Sequence, residues 1–254
     1  MRVCVLASGS KGNATYVASS DTSLLIDMGP SCAYVEKELQ EIGVNPNEID
    51  GILITHTHVD HIGGLRVFIK KYNPTIYLSQ KMYDELSALM LITNYQLIDS
   101  DFEINDIDIK IIKTSHDVAD SNGYILEKDG KSVVYITDTG YIHYKNHKRL
   151  ENKSLYIMES NHDVEMLMNG KYPYPVKQRI LGDRGHLSNQ DSAYYLSHFI
   201  GEDTGCIVLA HLSEDNNTSE LALKTLEEAL EKEGQKVEQI IIASQKNRTE
   251  LLEV

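Results

Sequence analysis

The chain has 254 residues, enough for one large α/β domain or two small ones around a substantial core. An apolar content of 41% and a charged content of 24% are ordinary for a globular protein, and no apolar run is long enough to span a bilayer. The net charge of -14 argues only weakly against a nucleic-acid partner, because divalent ions bound at a site would offset charge locally.

The three cysteines are odd in number and widely spaced, which does not suit a disulfide framework. No signal-peptide cleavage pattern follows the first apolar run. The expected compartment is the cytoplasm, with no membrane association.

Short β-rich runs alternate with turns in the first part of the chain. Strands are predicted at residues 3–7, 15–18, 23–27 and 51–54, and a helix with apolar positions on one face at 32–42. Gly43 is a plausible C-cap of that helix.

The strand at 51–54 runs directly into a segment that contains His56, His58, Asp60 and His61. Imidazole nitrogens and carboxylate oxygens are the ligands that suit Zn²⁺, Mn²⁺ or iron. One ion cannot easily use all four groups from so short a segment, so the pattern indicates two neighbouring ions. The alternative, a polar loop with surface histidines, is weak, because ten histidines in a whole chain rarely cluster in this way.

The rest of the chain alternates strands with helices. A helix is predicted from Gly63 through residue 71, then strands at 75–78, 95–97, 107–114, 122–127 and 132–137, with an Asp-Gly hairpin turn at 128–131. Strands at 153–159, 205–210 and 237–243 and helices at 191–200 and 218–232 follow. We expect one domain over residues 1–254, an α/β sandwich of two mixed β-sheets with helices on both outer faces.

Three more ligand-type side chains stand at predicted strand ends. His116, Asp138 and His211 each follow an apolar strand. A lone histidine at a strand end is usually a surface residue, but three such positions beside a ligand cluster favour a shared site. Two ions of the zinc type need about seven protein ligands and a water.

The motif His-x-His-x-Asp-His, followed by His116, Asp138 and His211 in this order, resembles the metallo-β-lactamase superfamily. The resemblance covers essentially the whole chain and implies an αβ/βα sandwich with a dinuclear site at one edge. It implies that His56, His58 and His116 bind the first ion, that Asp60, His61 and His211 bind the second, and that Asp138 bridges them. The diiron flavoprotein branch of the superfamily has glutamate where this chain has His58, so the resemblance implies two divalent Zn²⁺ or Mn²⁺ ions rather than redox iron.

A dinuclear site of this kind supports hydrolysis. Solvent that bridges two divalent ions becomes a hydroxide nucleophile near neutral pH, and the ions stabilise developing negative charge. Asp60 would accept a hydrogen bond from the nucleophile as well as bind an ion.

Two further residues, Glu159 and His186, bear on which kind of bond is hydrolysed. In the nuclease branch similar to tRNase Z, a histidine and a glutamate in comparable segments protonate and orient the leaving oxygen, which implies that His186 is the general acid and Glu159 its partner. The alternative for His186 is a capping residue ahead of the helix that follows.

The segments 6–13, 159–163, 185–189 and 210–217 are similar to the short bacterial YycJ/WalJ-like group. That resemblance implies a nuclease-like enzyme, which for this group means a proposed 5′-to-3′ exonuclease acting on double-stranded DNA. Too few residues separate Asp138 from His211 for the large insert of the RNase J type, and the long arm of tRNase Z is absent. DNA is therefore favoured over RNA.

Three hypotheses stay open: a nucleic-acid phosphodiesterase, a hydrolase of small cyclic phosphates or phosphodiesters, and a thioester, lactone or β-lactam hydrolase. The last would not need His186. Basic side chains that could contact nucleic acid are Lys11, Lys145, His147, Lys148, Arg149, Lys177, Arg179 and Arg184. The native metal, the cleavage polarity and the oligomeric state are not specified by the sequence.

Overall fold

A computed structural model describes all residues from Met1 to Val254. The strands are β1 Arg2–Ala7, β2 Ala14–Ala18, β3 Ser23–Ile26, β4 Gly51–Leu53, β5 Thr75–Leu78, β6 Tyr95–Leu97, β7 Phe102–Ile104, β8 Ile107–Lys113, β9 Asn122–Lys128, β10 Lys131–Ile136, β11 Leu155–Glu159, β12 Cys206–Ala210, β13 Gln239–Ile242 and β14 Leu252–Glu253. The α-helices are α1 Cys32–Glu41, α2 Val59–Ile62, α3 Leu65–Tyr72, α4 Gln80–Ser87, α5 His147–Leu150, α6 Val164–Asn169, α7 Tyr174–Leu181, α8 Asn189–Phe199 and α9 Ser219–Lys232.

The strands form two seven-stranded mixed sheets. The first has the order β14-β1-β2-β3-β4-β5-β6 and the second β13-β12-β11-β10-β9-β8-β7. In each sheet one half is antiparallel and the other half parallel, with the change at β3 and at β10. The carboxyl ends of the parallel strands in both sheets face the edge where the ligand-type side chains stand.

Strand alternation explains the layering. In β1, Val3 and Val5 join a core of 23 buried residues between the sheets. Cys4 and Leu6 point the other way, into a second core of 23 residues beneath the helices of the first sheet. A third core of 18 residues lies beneath helices packed on the second sheet. The predicted sandwich of two mixed sheets flanked by helices is confirmed.

Several short elements escaped prediction. Helix α2 lies inside the ligand motif, where only four residues are helical and no apolar stripe marks them. Helices α6 and α7 bury little, with Val164, Met168 and Tyr174 exposed, so their apolar residues do not show a clear helical face. No helix in the structure combines the length and the apolar character needed to cross a membrane.

Candidate metal centre and active site

Both sheets contribute to one cluster of ligand-type side chains. The loop after β4 and the first turn of α2 supply His56, His58, Asp60 and His61. The second sheet adds one residue just beyond each of three strands: His116 after β8, Asp138 after β10 and His211 after β12. The structure therefore brings together the seven side chains predicted as ligands, from segments up to 155 positions apart in the chain.

The first donor set consists of His56, His58 and His116. Nε2 of His56 and Nε2 of His116 each lie 3.2 Å from Nδ1 of His58. Nitrogen ligands of a tetrahedral zinc ion, each at about 2.0–2.1 Å from the metal, are about 3.3 Å apart. The spacing of these three nitrogens suits one such ion.

The second donor set consists of Asp60, His61 and His211. Oδ2 of Asp60 lies 3.5 Å from Nε2 of His61 and 3.6 Å from Nε2 of His211. Oδ2 of Asp138 lies 3.2 Å from Nε2 of His61, and its Oδ1 lies 3.9 Å from Nε2 of His116. Asp138 thus faces both donor sets, as a bridging ligand would.

Unpartnered buried atoms support a cation here. Oδ2 of Asp138 and Nε2 of His211 are buried without a hydrogen-bond partner. Buried polar atoms are normally hydrogen-bonded. Two unpaired atoms at the donor sets therefore indicate a missing partner. Burial lowers the pKa of His61, but Asp27 and Asp138 raise it to about 10. The carboxylates therefore make the electrostatic potential at the site strongly negative. The donor types and this field both fit divalent cations.

Residues behind the donor sets fix the imidazole rings. Nδ1 of His61 lies 2.7 Å from Oδ2 of Asp27, and that oxygen also accepts a 2.7 Å hydrogen bond from the Thr55 hydroxyl. Nδ1 of His116 lies 3.1 Å from the Gly185 carbonyl oxygen. Each contact holds a proton on Nδ1 and leaves the Nε2 lone pair for an ion.

Glu159 connects the metal centre to the predicted general acid. Its Oε1 lies 2.7 Å from Nδ1 of His186 and 3.0 Å from Nδ1 of His211. Its Oε2 accepts backbone hydrogen bonds from Thr139 and Leu187. Burial raises the pKa of Glu159, but the neighbouring histidines lower it to about 2. Burial lowers the pKa of His186, and Glu159 more than offsets this and raises it.

His186 precedes α8 but does not cap it. The cap is Ser188, in a capping box with Asp191. The His186 ring instead lines a cavity of about 240 Å³ together with donor residues of both sets. The other lining residues are Ser10, Asn161, Tyr172, Arg179, Ile180 and Ser213.

Two features of this site do not follow from the sequence pattern. Asp27 is predicted only as the last residue of a strand, although it ends an apolar run just as His116, Asp138 and His211 do. The contact of Glu159 with His211 depends on two strands being neighbours, which the sequence does not state. For His162 the sequence leaves both a substrate contact and a structural contact open. The residue is buried with both ring nitrogens unpaired and does not line the cavity.

Comparison with known proteins identifies the class. Residues 22–205 match the family described as a beta-lactamase superfamily domain, and the chain therefore belongs to the beta-lactamase superfamily.

Two curated relatives are similar over most of their length. "Exodeoxyribonuclease YycJ" of Bacillus anthracis is 38% identical over 235 residues, 91% of this chain and 89% of the relative. "Exodeoxyribonuclease WalJ" of Streptococcus pneumoniae serotype 2 is 40% identical over 232 residues, 87% of this chain and 85% of the relative. The predicted resemblance to the YycJ/WalJ-like group is confirmed.

Solved structures share the fold. The metallo-beta-lactamase fold protein YhfI from Bacillus subtilis superposes with a TM-score of 0.72 at 20% identity and covers 98% of both chains. The short form of human tRNase Z gives a TM-score of 0.67 at 17% identity and covers all of both chains.

Proposed function

We propose that this protein is a metal-dependent phosphodiesterase that degrades DNA from an end. The observation that carries the proposal is the 2.7 Å contact between Glu159 and His186 beside the two donor sets. A buried carboxylate that holds Nδ1 of a histidine turns the other ring nitrogen, Nε2, into a directed proton donor. Such a donor is needed where the leaving group is an alkoxide, as in a nucleic-acid backbone.

The seven donor residues would hold two divalent ions, Zn²⁺ or Mn²⁺, with Asp138 shared between them. When bound, these ions supply Lewis acidity towards water and towards the phosphate oxygens.

The chain's own groups do the remaining work. His186 gives its Nε2 proton to the leaving oxygen, and Glu159 stabilises the positively charged form of the ring before that transfer. Asp60 would bind an ion and also orient the attacking water. Its carboxylate is held on one side by Asn13, whose Nδ2 lies 3.4 Å from Oδ2 of Asp60. Its remaining lone pairs can accept a hydrogen bond from the attacking water.

DNA is the proposed substrate because both extensively similar relatives are named exodeoxyribonucleases. The direction of digestion, 5′ to 3′, follows only from the same group resemblance. We also propose that residues 1–254 act as a single domain, because both sheets contribute donors to the site. Hydrolysis of small cyclic phosphates would need the same groups. The assay below distinguishes that activity from the cleavage of DNA.

The test is to incubate purified protein with Mn²⁺ or Zn²⁺ and, in separate reactions, with single-stranded DNA, double-stranded DNA, RNA, a cyclic nucleotide, bis-p-nitrophenyl phosphate, a thioester and a lactone. We expect stepwise release of nucleotides from DNA. Cleavage of a thioester or lactone with no cleavage of any phosphodiester would refute the proposal.

The role of His186 is tested by comparing two leaving groups. His186→Ala should lower kcat on DNA by about 10²–10⁴-fold, because an alkoxide departs poorly without a proton. The loss on bis-p-nitrophenyl phosphate should be much smaller, because p-nitrophenolate leaves without protonation. His198→Ala, an exposed histidine of α8, is the control. Equal losses on both substrates would assign His186 a structural role instead.

A further inference from the structure

The basic side chains suggested for nucleic-acid contact have different positions in the structure. Nζ of Lys177 donates 2.7 Å hydrogen bonds to the carbonyl oxygens of Met168 and Gly170, which fixes the turn before α7. Arg184 donates to the carbonyl oxygens of His116 and Val118 and holds the His116 loop. These contacts serve the fold, and neither side chain lines the cavity that contains both donor sets.

Two other cations do not line the cavity. Arg149 pairs with Asp101 at the end of the second sheet. Lys11 is 67% exposed and pairs with Glu214 at 2.6 Å outside the cavity. Such exposed pairs contribute little on their own.

Arg179 alone among the lysines and arginines lines the cavity that contains both donor sets. It projects from the last turn of α7, and its side chain is 64% exposed. Nε and Nη2 both bind Oδ2 of Asp117, while Nη1 makes no hydrogen bond. The guanidinium is therefore held in one orientation and still presents free donors to solvent.

Asp117 fixes the distance between this cation and the first donor set. Its Oδ1 is buried without a hydrogen-bond partner and lies 3.4 Å from Nε2 of His116 and 3.8 Å from Nε2 of His58. Arg179 is thus separated from the donor nitrogen of His116 by one carboxylate. The guanidinium stands at the cavity mouth, beside the place where the scissile phosphate would meet the ions.

We propose that Arg179 binds the phosphate that neighbours the scissile one in the substrate chain, and that Asp117 is its positioning residue. This inference rests on the proposed function. A guanidinium matches two phosphate oxygens with its planar fork, which an ammonium cannot do. A substrate with two successive phosphates would occupy both positions, whereas an isolated phosphodiester would occupy only the metal centre. The residue would thus select polynucleotides over small phosphodiesters.

The experiment compares wild type, Arg179→Ala and Arg179→Lys on a DNA oligonucleotide and on bis-p-nitrophenyl phosphate, which has a single phosphate. We expect Arg179→Ala to lower kcat/KM on DNA by about 10–100-fold, mainly through KM, with a loss of at most about threefold on the ester. Arg179→Lys should recover part of the loss. Lys224→Ala, which removes the same charge from an exposed pair on α9, is the control and should match wild type.

A second readout does not depend on turnover. Binding of a phosphorothioate-protected oligonucleotide to the metal-loaded protein, followed by fluorescence anisotropy at several salt concentrations, should show a slope reduced by about one phosphate contact in Arg179→Ala. An unchanged slope, or equal losses of turnover on both substrates, would overturn the inference. If wild type cleaves neither substrate, it is the proposed function that fails, which keeps the two failures distinct.

Discussion

At the scale of single residues, the side chains that hold the donor imidazole rings in place also belong to the site. Asp27 is completely buried, and burial raises its pKa, yet it stays in contact with His61 and Thr55. A carboxylate in such a position is costly unless it orients a charged or metal-binding partner. Asp27 therefore belongs to the site although it faces away from the cavity.

Replacing Asp27 by Asn should weaken metal binding by about 10–100-fold, because the His61 ring loses the acceptor that fixes its tautomer. Titration calorimetry with Zn²⁺ on metal-free protein measures this directly. Asp129→Asn, in the exposed hairpin turn after β9, is the matched control. If both variants bind Zn²⁺ like wild type, Asp27 has no part in holding the ion.

At the scale of elements, several residues that follow strands have an unusual backbone conformation, which sets the direction of their side chains. Asp27, Asp138 and His211 have φ values of 61°, 55° and 57°, in the left-handed region that non-glycine residues seldom adopt. Each of them follows a buried strand. Asp138 and His211 line the cavity, whereas the Asp27 side chain contacts the His61 ring from behind. Three of the seven non-glycine residues with positive φ therefore lie where the side chains converge.

A close approach of two loops completes this arrangement. A Cβ on Gly29 would lie 1.7 Å from the backbone oxygen of Asp60, so only glycine lets the loop after β3 pass behind α2.

Gly29→Ala should therefore displace α2 and cost more than about 2 kcal/mol of unfolding free energy. Denaturant unfolding measures the stability, and Zn²⁺ titration measures the damage to the second donor set. Gly205→Ala is the control, because nothing lies within 4 Å of its Cβ and its φ is not positive. Similar stabilities for the two variants would show that the loop can adapt.

How far the sequence predicts this molecule depends on whether a feature is local. The strands at Thr75–Leu78 and Tyr95–Leu97 and the helix α9 were predicted to within a residue, because each carries its own periodic pattern. The clustering of the candidate donors was predictable because these residues follow strands. The left-handed turns and the pairing of Arg179 with Asp117 depend on contacts between distant segments, so no local sequence pattern predicts them.

At the scale of the whole molecule, turns from different sheets are tied together away from the site. Oδ1 of Asp106, between β7 and β8, accepts hydrogen bonds of 2.6 Å from Ser19 and 2.5 Å from Thr22, between β2 and β3. Burial raises the pKa of Asp106, but these bonds and Lys128 lower it to about 2. The ionised carboxylate therefore links the first sheet to the second.

This link should make stability depend on pH in acid. Because the folded pKa lies below the unfolded value of about 4, the contribution is complete above pH 4 and is lost as pH falls towards 2. Asp106→Asn should cost about 1–3 kcal/mol at neutral pH and flatten the fall in unfolding free energy between about pH 4 and 2.

Urea unfolding at a series of pH values measures both effects. Asp108→Asn, an exposed neighbour on β8, should behave like wild type. If the acid-dependent fall is as steep in Asp106→Asn as in wild type, other carboxylates account for it.

The division of the donors between two sheets has a consequence for how the molecule matures. His56 to His61 come from the first sheet, whereas His116, Asp138 and His211 come from the second. Ions shared by both would cross-link two halves of the chain that are made at different times. No nascent or truncated copy that ends before residue 211 holds the full donor set. Complete metal binding at the proposed centre would therefore require synthesis to have passed residue 211.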